Sequence, residues 1–342
     1  MTQQDELIWH EKLTSLFPRH PSQLNKVNEA DAEIVFLEQN RSILAITTDI
    51  ICEEIQTGIY KDPFLMGWMS VVVNISDLCA VGAIPKFLTL NEVFQKDTEE
   101  AFITKVQEGI AAACSAFNVS VLGGDTNFAD QILLGGTAIG FIPSPDKIVQ
   151  RKGAQIGDLI YTGSSIGSGN FFAFAALQNL GTAIEYRPYP NIKLSQLMAS
   201  YANSCIDTSD GLFHALYTLM KVNTIGFSLN ENAFSCIPKQ LLKHCNRLEI
   251  SPITLFAGIV GEYELIYTIP QDKNTSFLKE VENHNINVHC IGKVTDANGH
   301  LSIISEGQEQ PIDLEAIVQA FTISKGDIKA YIHNLKKQLE FQ

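Results

Sequence analysis

Aspartate beside a small hydroxyl residue or glycine recurs along this chain, at Thr47-Thr48-Asp49, Ser76-Asp77, Gly123-Gly124-Asp125-Thr126 and Asp207-Thr208-Ser209-Asp210-Gly211, with Asp31 ahead of them. Each stretch falls where an apolar run gives way to a turn or where an apolar helix passes. Carboxylates emerging from apolar elements are costly unless a cation meets them. Gathered by a fold, they would repel one another and call for divalent metal, and oxygen donors of this kind suit Mg²⁺. Several Mg²⁺ ions in one cleft usually accompany a polyphosphate, so ATP chemistry is the leading expectation.

Taken singly, each stretch has a plainer reading. Gly123-Gly124-Asp125-Thr126 follows residues 119–122, expected to be a short buried strand. Its glycines would let backbone N–H groups approach a phosphate, with the aspartate at hand for the metal. A tight turn with a solvated aspartate explains the same residues. Gly163, Gly167 and Gly169 resemble a phosphate-binding turn but have neither the dinucleotide-binding nor the P-loop spacing, so ordinary turn glycines before a helix are the simpler reading. Asp207-Thr208-Ser209-Asp210 places acceptor side chains ahead of the apolar helix of Leu212, Phe213 and Leu216. N-capping by Ser209 or Asp210 accounts for one of them and leaves the others unexplained. For Thr47-Thr48-Asp49 the alternative is a polar strand end.

The elements that must carry these residues can be read from periodicity and punctuation. Residues 5–17 form a helix stopped by Pro18, and 33–37 with 42–47 form a hairpin around Glu38-Gln39-Asn40-Arg41. Pro63 opens a helix to residue 81 that is apolar on nearly every side and therefore buried, which makes Asp77 within it anomalous. A strand at 86–94 follows, and then Asp97 and Glu100 give a capping-box signature. Ile103, Val106, Ile110, Ala113 and Phe117 keep the helical period behind it. A strand at 132–142 closes the first half, and Pro143 and Pro145 mark a joint. Beyond it come strands at 159–162, 263–269 and 288–291, with helices at 171–180, 194–201, 211–221 and 238–244. Mixed strands and helices in both halves indicate an α+β fold.

Composition narrows the partners. At 342 residues the chain has room for two domains. A net charge of -14 disfavours nucleic acid and requires any anionic substrate to be met by metal or a local basic group. Residues 64–81 come nearest to a membrane span but contain Asn74, Ser76 and Asp77, so no membrane role is expected. The N-terminus lacks a basic n-region, and the seven cysteines form no CxxC pair, which points to reduced thiols and a cytoplasmic protein.

The series as a whole resembles the thiamine-monophosphate kinase family of the aminoimidazole-ribonucleotide (AIR) synthetase superfamily. The matching segments are Glu29-Ala30-Asp31-Ala32, Thr47-Thr48-Asp49, Asn74 to Pro85 (N-I-S-D-L-C-A-V-G-A-I-P), Gly123-Gly124-Asp125-Thr126, Arg151 to Asp158 (R-K-G-A-Q-I-G-D), Asp207-Thr208-Ser209-Asp210-Gly211-Leu212 and Gly261-Glu262-Tyr263-Glu264-Leu265. They run in the family's order from about residue 29 to 293. The resemblance implies an AIR-synthetase-like two-domain fold. Residues 1–145 would be a strand-rich ATP- and Mg²⁺-binding domain that pairs with its twin in a dimer barrel, and 146–342 an α/β-layered domain. It implies Asp31, Thr48, Asp49, Asp77, Asp125, Asp207 and Asp210 as magnesium ligands, and Gly124, Asp125, Arg151 and Ser209 as ATP contacts. It further implies a homodimer and direct phosphoryl transfer to a small-molecule acceptor with no covalent residue.

The departures lie on the acceptor side. Ala30 and Met69 stand where the family has aspartate and lysine, and Gln56 stands where it has a substrate-contacting histidine. At 261–263 either an aspartate is deleted and Glu262 keeps the substrate role, or Gly261 and Glu262 replace glutamate and aspartate. Lys325 onward has at most a faint echo, Ala330-Tyr331-Ile332-His333, of the family's glycine-and-aromatic ending. Besides thiamine monophosphate as acceptor, two alternatives stay open: ATP activation of a carbonyl or amide oxygen of another small molecule, and a nucleotide-binding protein without turnover.

Overall fold

The hairpin expected around Glu38–Arg41 opens the first of two sheets. In the computed structural model, which describes residues 3–163, 165–178, 184–296, 299–305, 307–324 and 328–340, α1 (Gln3–Thr14) precedes the antiparallel pair β1 (Glu33–Leu37) and β2 (Ser42–Ile51). The one-turn α2 (Glu53–Gln56), α3 (Pro63–Ala80), β3 (Ile84–Gln95), α4 (Glu100–Phe117), β4 (Ser120–Ala129) and β5 (Leu133–Ile142) follow. The sheet order is β1-β2-β5-β3-β4, antiparallel except for β3 with β4. A parallel pair needs a crossover, and α4 supplies it.

The second half begins with β6 (Leu159–Thr162), α5 (Ser168–Gln178), α6 (Ile192–Met198), β7 (Ser204–Asp207), α7 (Leu212–Asn223) and β8 (Gly226–Leu229). It continues through α8 (Lys239–Arg247), α9 (Thr254–Ala257), β9 (Leu265–Ile269), α10 (Gln271–Asn283) and β10 (His289–Thr295). The last elements are β11 (Leu301–Ser305), β12 (Gln308–Ile312), α11 (Leu314–Ile323) and α12 (Ile328–Glu340). Its seven strands run in the order β12-β11-β8-β10-β6-β9-β7, with only β8 and β11 parallel. Residues 179–180 of the expected helix 171–180 lie outside the described residues.

Helix α3 is apolar all round because it is covered all round. β2, β5 and α4 pack on it from the first half, and α6, β7 and β9 from the second. Val71, Val72, Ile75 and Leu78 are wholly buried, in a core cluster that also holds Leu194, Cys205, Leu265 and Phe277 of the second half. The helix is long and apolar enough to cross a membrane by length and composition, and those same residues are buried between the two sheets. Gly67 and Gly109 let α3 and α4 cross closely: a Cβ on Gly67 would stand 1.9 Å from Val106 O, and one on Gly109 2.0 Å from Phe64 O.

Two local expectations are corrected. The Asp97–Glu100 capping box does not form; the N-cap is Glu99, without a side-chain cap bond, and a turn closed by Thr98 N donating to Gln95 O brings the chain in. Of the expected short buried strand at 119–122, residues 120–122 belong to the ten-residue β4, exposed along its whole length, and Val119 just ahead of it is buried. Strand β4 lies at the sheet edge with β3 as its one strand neighbour, so the pattern of an apolar run before two glycines marks an edge, not a buried strand and turn.

Candidate active site

One stretch of α3 ties the site together. The side chain of Asn74 pairs with the backbone of Asp49 on β2, accepting from its N at 3.1 Å and donating to its O at 3.2 Å. Ser76 Oγ donates to Asp207 Oδ2 at the end of β7. Asp77 Oδ2 accepts from Thr47 Oγ1 of β2 at 2.5 Å. Three residues of one helix thus fix strands from both sheets.

Around them Asp31, Asp77 and Asp207 each offer a carboxylate oxygen, all within 4.8 Å of one another. Arg151 lies against this group, with Nη2 2.9 Å and Nε 3.2 Å from Asp31 Oδ1. Burial works against the guanidinium charge, and Asp31 beside it, helped by Asp77 and Asp207, more than restores it. One cation among three carboxylates leaves the cluster short of positive charge. Burial first, then the charges of Asp207, Asp49 and Asp31, holds Asp77 well above the usual carboxylate range. Asp207 is pushed up to about 6 by burial and then by Asp31, against the pull of Ser76 and Arg151. Asp31 Oδ2 is buried without a hydrogen-bond partner among the described residues. Hard oxygen donors, unbalanced negative charge and an open buried oxygen fit Mg²⁺.

The other expected residues fall in different places. Asp49 belongs with the cluster, since its charge acts on Asp77. Thr48 does not: alternation along β2 turns Thr47 and Asp49 towards α3 and Thr48 to the opposite face, where it donates to Gly136 O and meets Thr137 Oγ1. Thr47 is the threonine that reaches the cluster, and period-two reading of the strand could have found it. Gly124 and Asp125 lie on exposed β4, where Asp125 Oδ2 accepts from Asn127 Nδ2 at 2.7 Å. The register Asp125–Asn91–Gly135–Ile50 puts Asp125 three strand spacings, about 14 Å, from the neighbour of Asp49. Asp125 is not among the carboxylates gathered within 4.8 Å of one another, Asp31, Asp77 and Asp207.

Ser209 and Asp210 do not cap α7. The N-cap is Gly211, at φ 83°, without a side-chain cap bond. Asp210 is exposed and borders an apolar cavity of about 140 Å³, together with Glu53, Glu54, Ile259, Tyr331 and Lys336. The buried Tyr331 hydroxyl has no partner among the described residues. Gln56 is exposed and does not border this cavity; its Nε2 donates to Gln131 Oε1 at 2.9 Å. Met69 is a fully buried core residue. Glu262 is buried, and its Oε1 accepts from both Gly167 N and Gly169 N at 2.8 Å. The turn that resembled a phosphate site is thus filled by a carboxylate of the chain itself.

Residues 29–142 match the family "AIR synthase related protein, N-terminal domain". The thiamine-monophosphate kinase of Haemophilus influenzae is 28% identical over 281 residues, covering 80% of this chain and 84% of that protein. The enzyme of that name from Escherichia coli K12 is 27% identical over 284 residues, covering 80% and 85%. Among solved structures, AaThiL complexed with AMPPCP and TMP matches with a TM-score of 0.72 at 21% identity, over 90% of this chain and 94% of that one. The HypE–HypF complex matches with a TM-score of 0.72 at 20% identity, over 90% and 99%. At these identities the structural likeness establishes the fold.

Proposed function

We infer that this chain, a thiamine-monophosphate-kinase-like protein of the AIR-synthetase superfamily, transfers the γ-phosphoryl group of ATP directly to thiamine monophosphate. The observation that carries the reading is the convergence of Asp31, Asp77 and Asp207 from three separate segments. It stands in a chain that aligns with thiamine-monophosphate kinases over most of its length.

Asp31, Asp77 and Asp207, with Asp49 beside them, are the residues to hold Mg²⁺, and the ion's part is to neutralise the phosphates and the charge that develops in transfer. Arg151, oriented by Asp31, adds a fixed guanidinium. Ser209, whose backbone N donates to Asp207 Oδ1 at 3.4 Å, is the residue of this segment to contact the nucleotide, and Asp210 borders the acceptor cavity. That cavity, about 140 Å³, is the size that admits one aromatic ring, a void of about 150 Å³ being enough for benzene. In-line attack by an acceptor phosphate oxygen needs positioning and charge neutralisation, and no covalent residue.

Gly124 and Asp125 contact the nucleotide from exposed β4, which in a homodimer built on residues 1–145 faces the twin. The exposed Leu122 and Phe128 on this edge support that pairing. Each sheet draws its strands from one side of residue 145, which supports the division into 1–145 and 146–342. The seven free thiols favour the cytoplasm.

A second reading, ATP activation of a carbonyl or amide oxygen of another small molecule, draws on Gln56 standing outside the acceptor cavity. Incubation with labelled ATP and Mg²⁺, with and without thiamine monophosphate, tests both. Thiamine diphosphate formed in step with ADP is the expected result. ATP turnover that ignores thiamine monophosphate would transfer support to the second reading, and binding without turnover would remove both.

A further inference from the structure

Glu262 joins two loops that must be held in register for the aspartate cluster to form. On one side, its Oε1 takes the amides of Gly167 and Gly169 at the start of α5. On the other, the backbone around it grips the segment after β7. Gly261 N donates to Ser209 O at 2.9 Å, Thr208 N to Glu264 O at 2.8 Å, and Glu264 N to Thr208 Oγ1 at 3.0 Å. The two loops touch backbone to backbone: a Cβ on Gly261 would lie 1.4 Å from Thr208 O, and one on Gly169 2.2 Å from Gly261 O. Position 261 therefore has no room for a carboxylate of its own. Tyr263, buried and at φ 59°, takes the left-handed turn between Glu262 and the following strand.

We propose that Glu262 is a positioning residue: its carboxylate anchors the 261–264 loop to the start of α5, and through that loop sets the Asp207–Asp210 segment. The substrate-contacting role that the family resemblance gives it is replaced. A carboxylate at a helix start satisfies free N–H groups there, as a phosphate would. Here that acceptor oxygen is built in, so the glycine turn offers no amide pair to a substrate. Glu262 Oε2 has no partner among the described residues, and the residue borders a second cavity, of about 730 Å³, whose wall also includes Ser168, Arg187 and His244. A ligand reaching Glu262 would have to come from there.

The inference rests on the kinase reading only for its kinetic arm. In the full-length protein, Glu262→Gln keeps the acceptor oxygen for both amides, and Glu262→Ala removes it. We expect Glu262→Gln to retain wild-type kcat and KM for thiamine monophosphate. We expect Glu262→Ala to lower kcat about 10- to 100-fold and to raise the Mg²⁺ concentration needed for half-maximal rate, with KM for thiamine monophosphate unchanged. A raised KM in Glu262→Gln at unchanged kcat would restore the substrate contact and overturn the proposal. If the wild type does not use thiamine monophosphate, ¹⁵N-glycine labelling still decides. The Gly167 and Gly169 amide signals should stay downfield in Glu262→Gln and move upfield in Glu262→Ala, whereas unchanged shifts in Glu262→Ala would overturn it.

Discussion

Without metal, the carboxylate of Asp77 is raised by burial and by three other aspartates, so it works against the fold that holds it. Asp77→Asn keeps an oxygen for Thr47 and removes that charge. The metal-free variant should melt higher than the metal-free wild type, while Mg²⁺-dependent turnover falls on the order of a hundredfold. Calorimetry in EDTA and steady-state kinetics read the two effects; a variant that melts lower or turns over normally would mean that Asp77 does not sit in a strained cluster. Asp207 gives a pH signature. Its pKa is about 6 in the fold against 3.8 as the ordinary value, so its stabilising contribution is complete below about pH 4 and is lost as pH rises through about 6. The gain in melting temperature from saturating Mg²⁺ should therefore grow between about pH 5 and about pH 7, and a flat gain would contradict the assignment. The aspartates themselves were legible as a series in the sequence. Thr47, Asn74 and Ser76, which fix them, stood inside the same motifs but were given no role of their own, because a hydroxyl or amide declares its role only when the fold supplies its partner.

Among the elements, β4 carries the largest departure from expectation. Its apolar residues read as burial, yet Leu122 and Phe128 are 61% and 54% exposed in the single chain, on a strand whose outer edge pairs with no other strand among the described residues. Phe128→Lys should give a monomer by light scattering at micromolar concentration where the wild type gives a dimer. A wild-type monomer would dispose of the homodimer, and a dimeric variant would move the interface elsewhere. Long periodic elements such as α3 and α4 were readable because eighteen residues each average out local exceptions. The four-residue β7 and β8 were not, since so short a run carries no period and, unlike β6 before Gly163, neither runs into a glycine that marks its end. Nor was α10, whose polar sequence QDKNTSFLKEVEN buries only Phe277 and Val281.

For the whole molecule, the order of motifs was enough to bring out the likeness to thiamine-monophosphate kinases, but nothing in it revealed that both sheets close on one helix. That arrangement makes Gly67→Val a sharp test. Its side chain would collide with the backbone of α4, at a cost of about 3 kcal/mol or more. Because α3 belongs to both halves, near- and far-ultraviolet denaturation curves should shift together in one transition. Separate transitions would show that the halves fold independently. The same helix also limits motion. Ser76 holds Asp207 from one half while Asp77 holds Thr47 from the other, so a hinge opening between the halves would tear the metal cradle apart at each turnover. Entry and product release must instead run through peripheral pieces such as α2 and α12, and small-angle scattering should find the same radius of gyration with and without nucleotide.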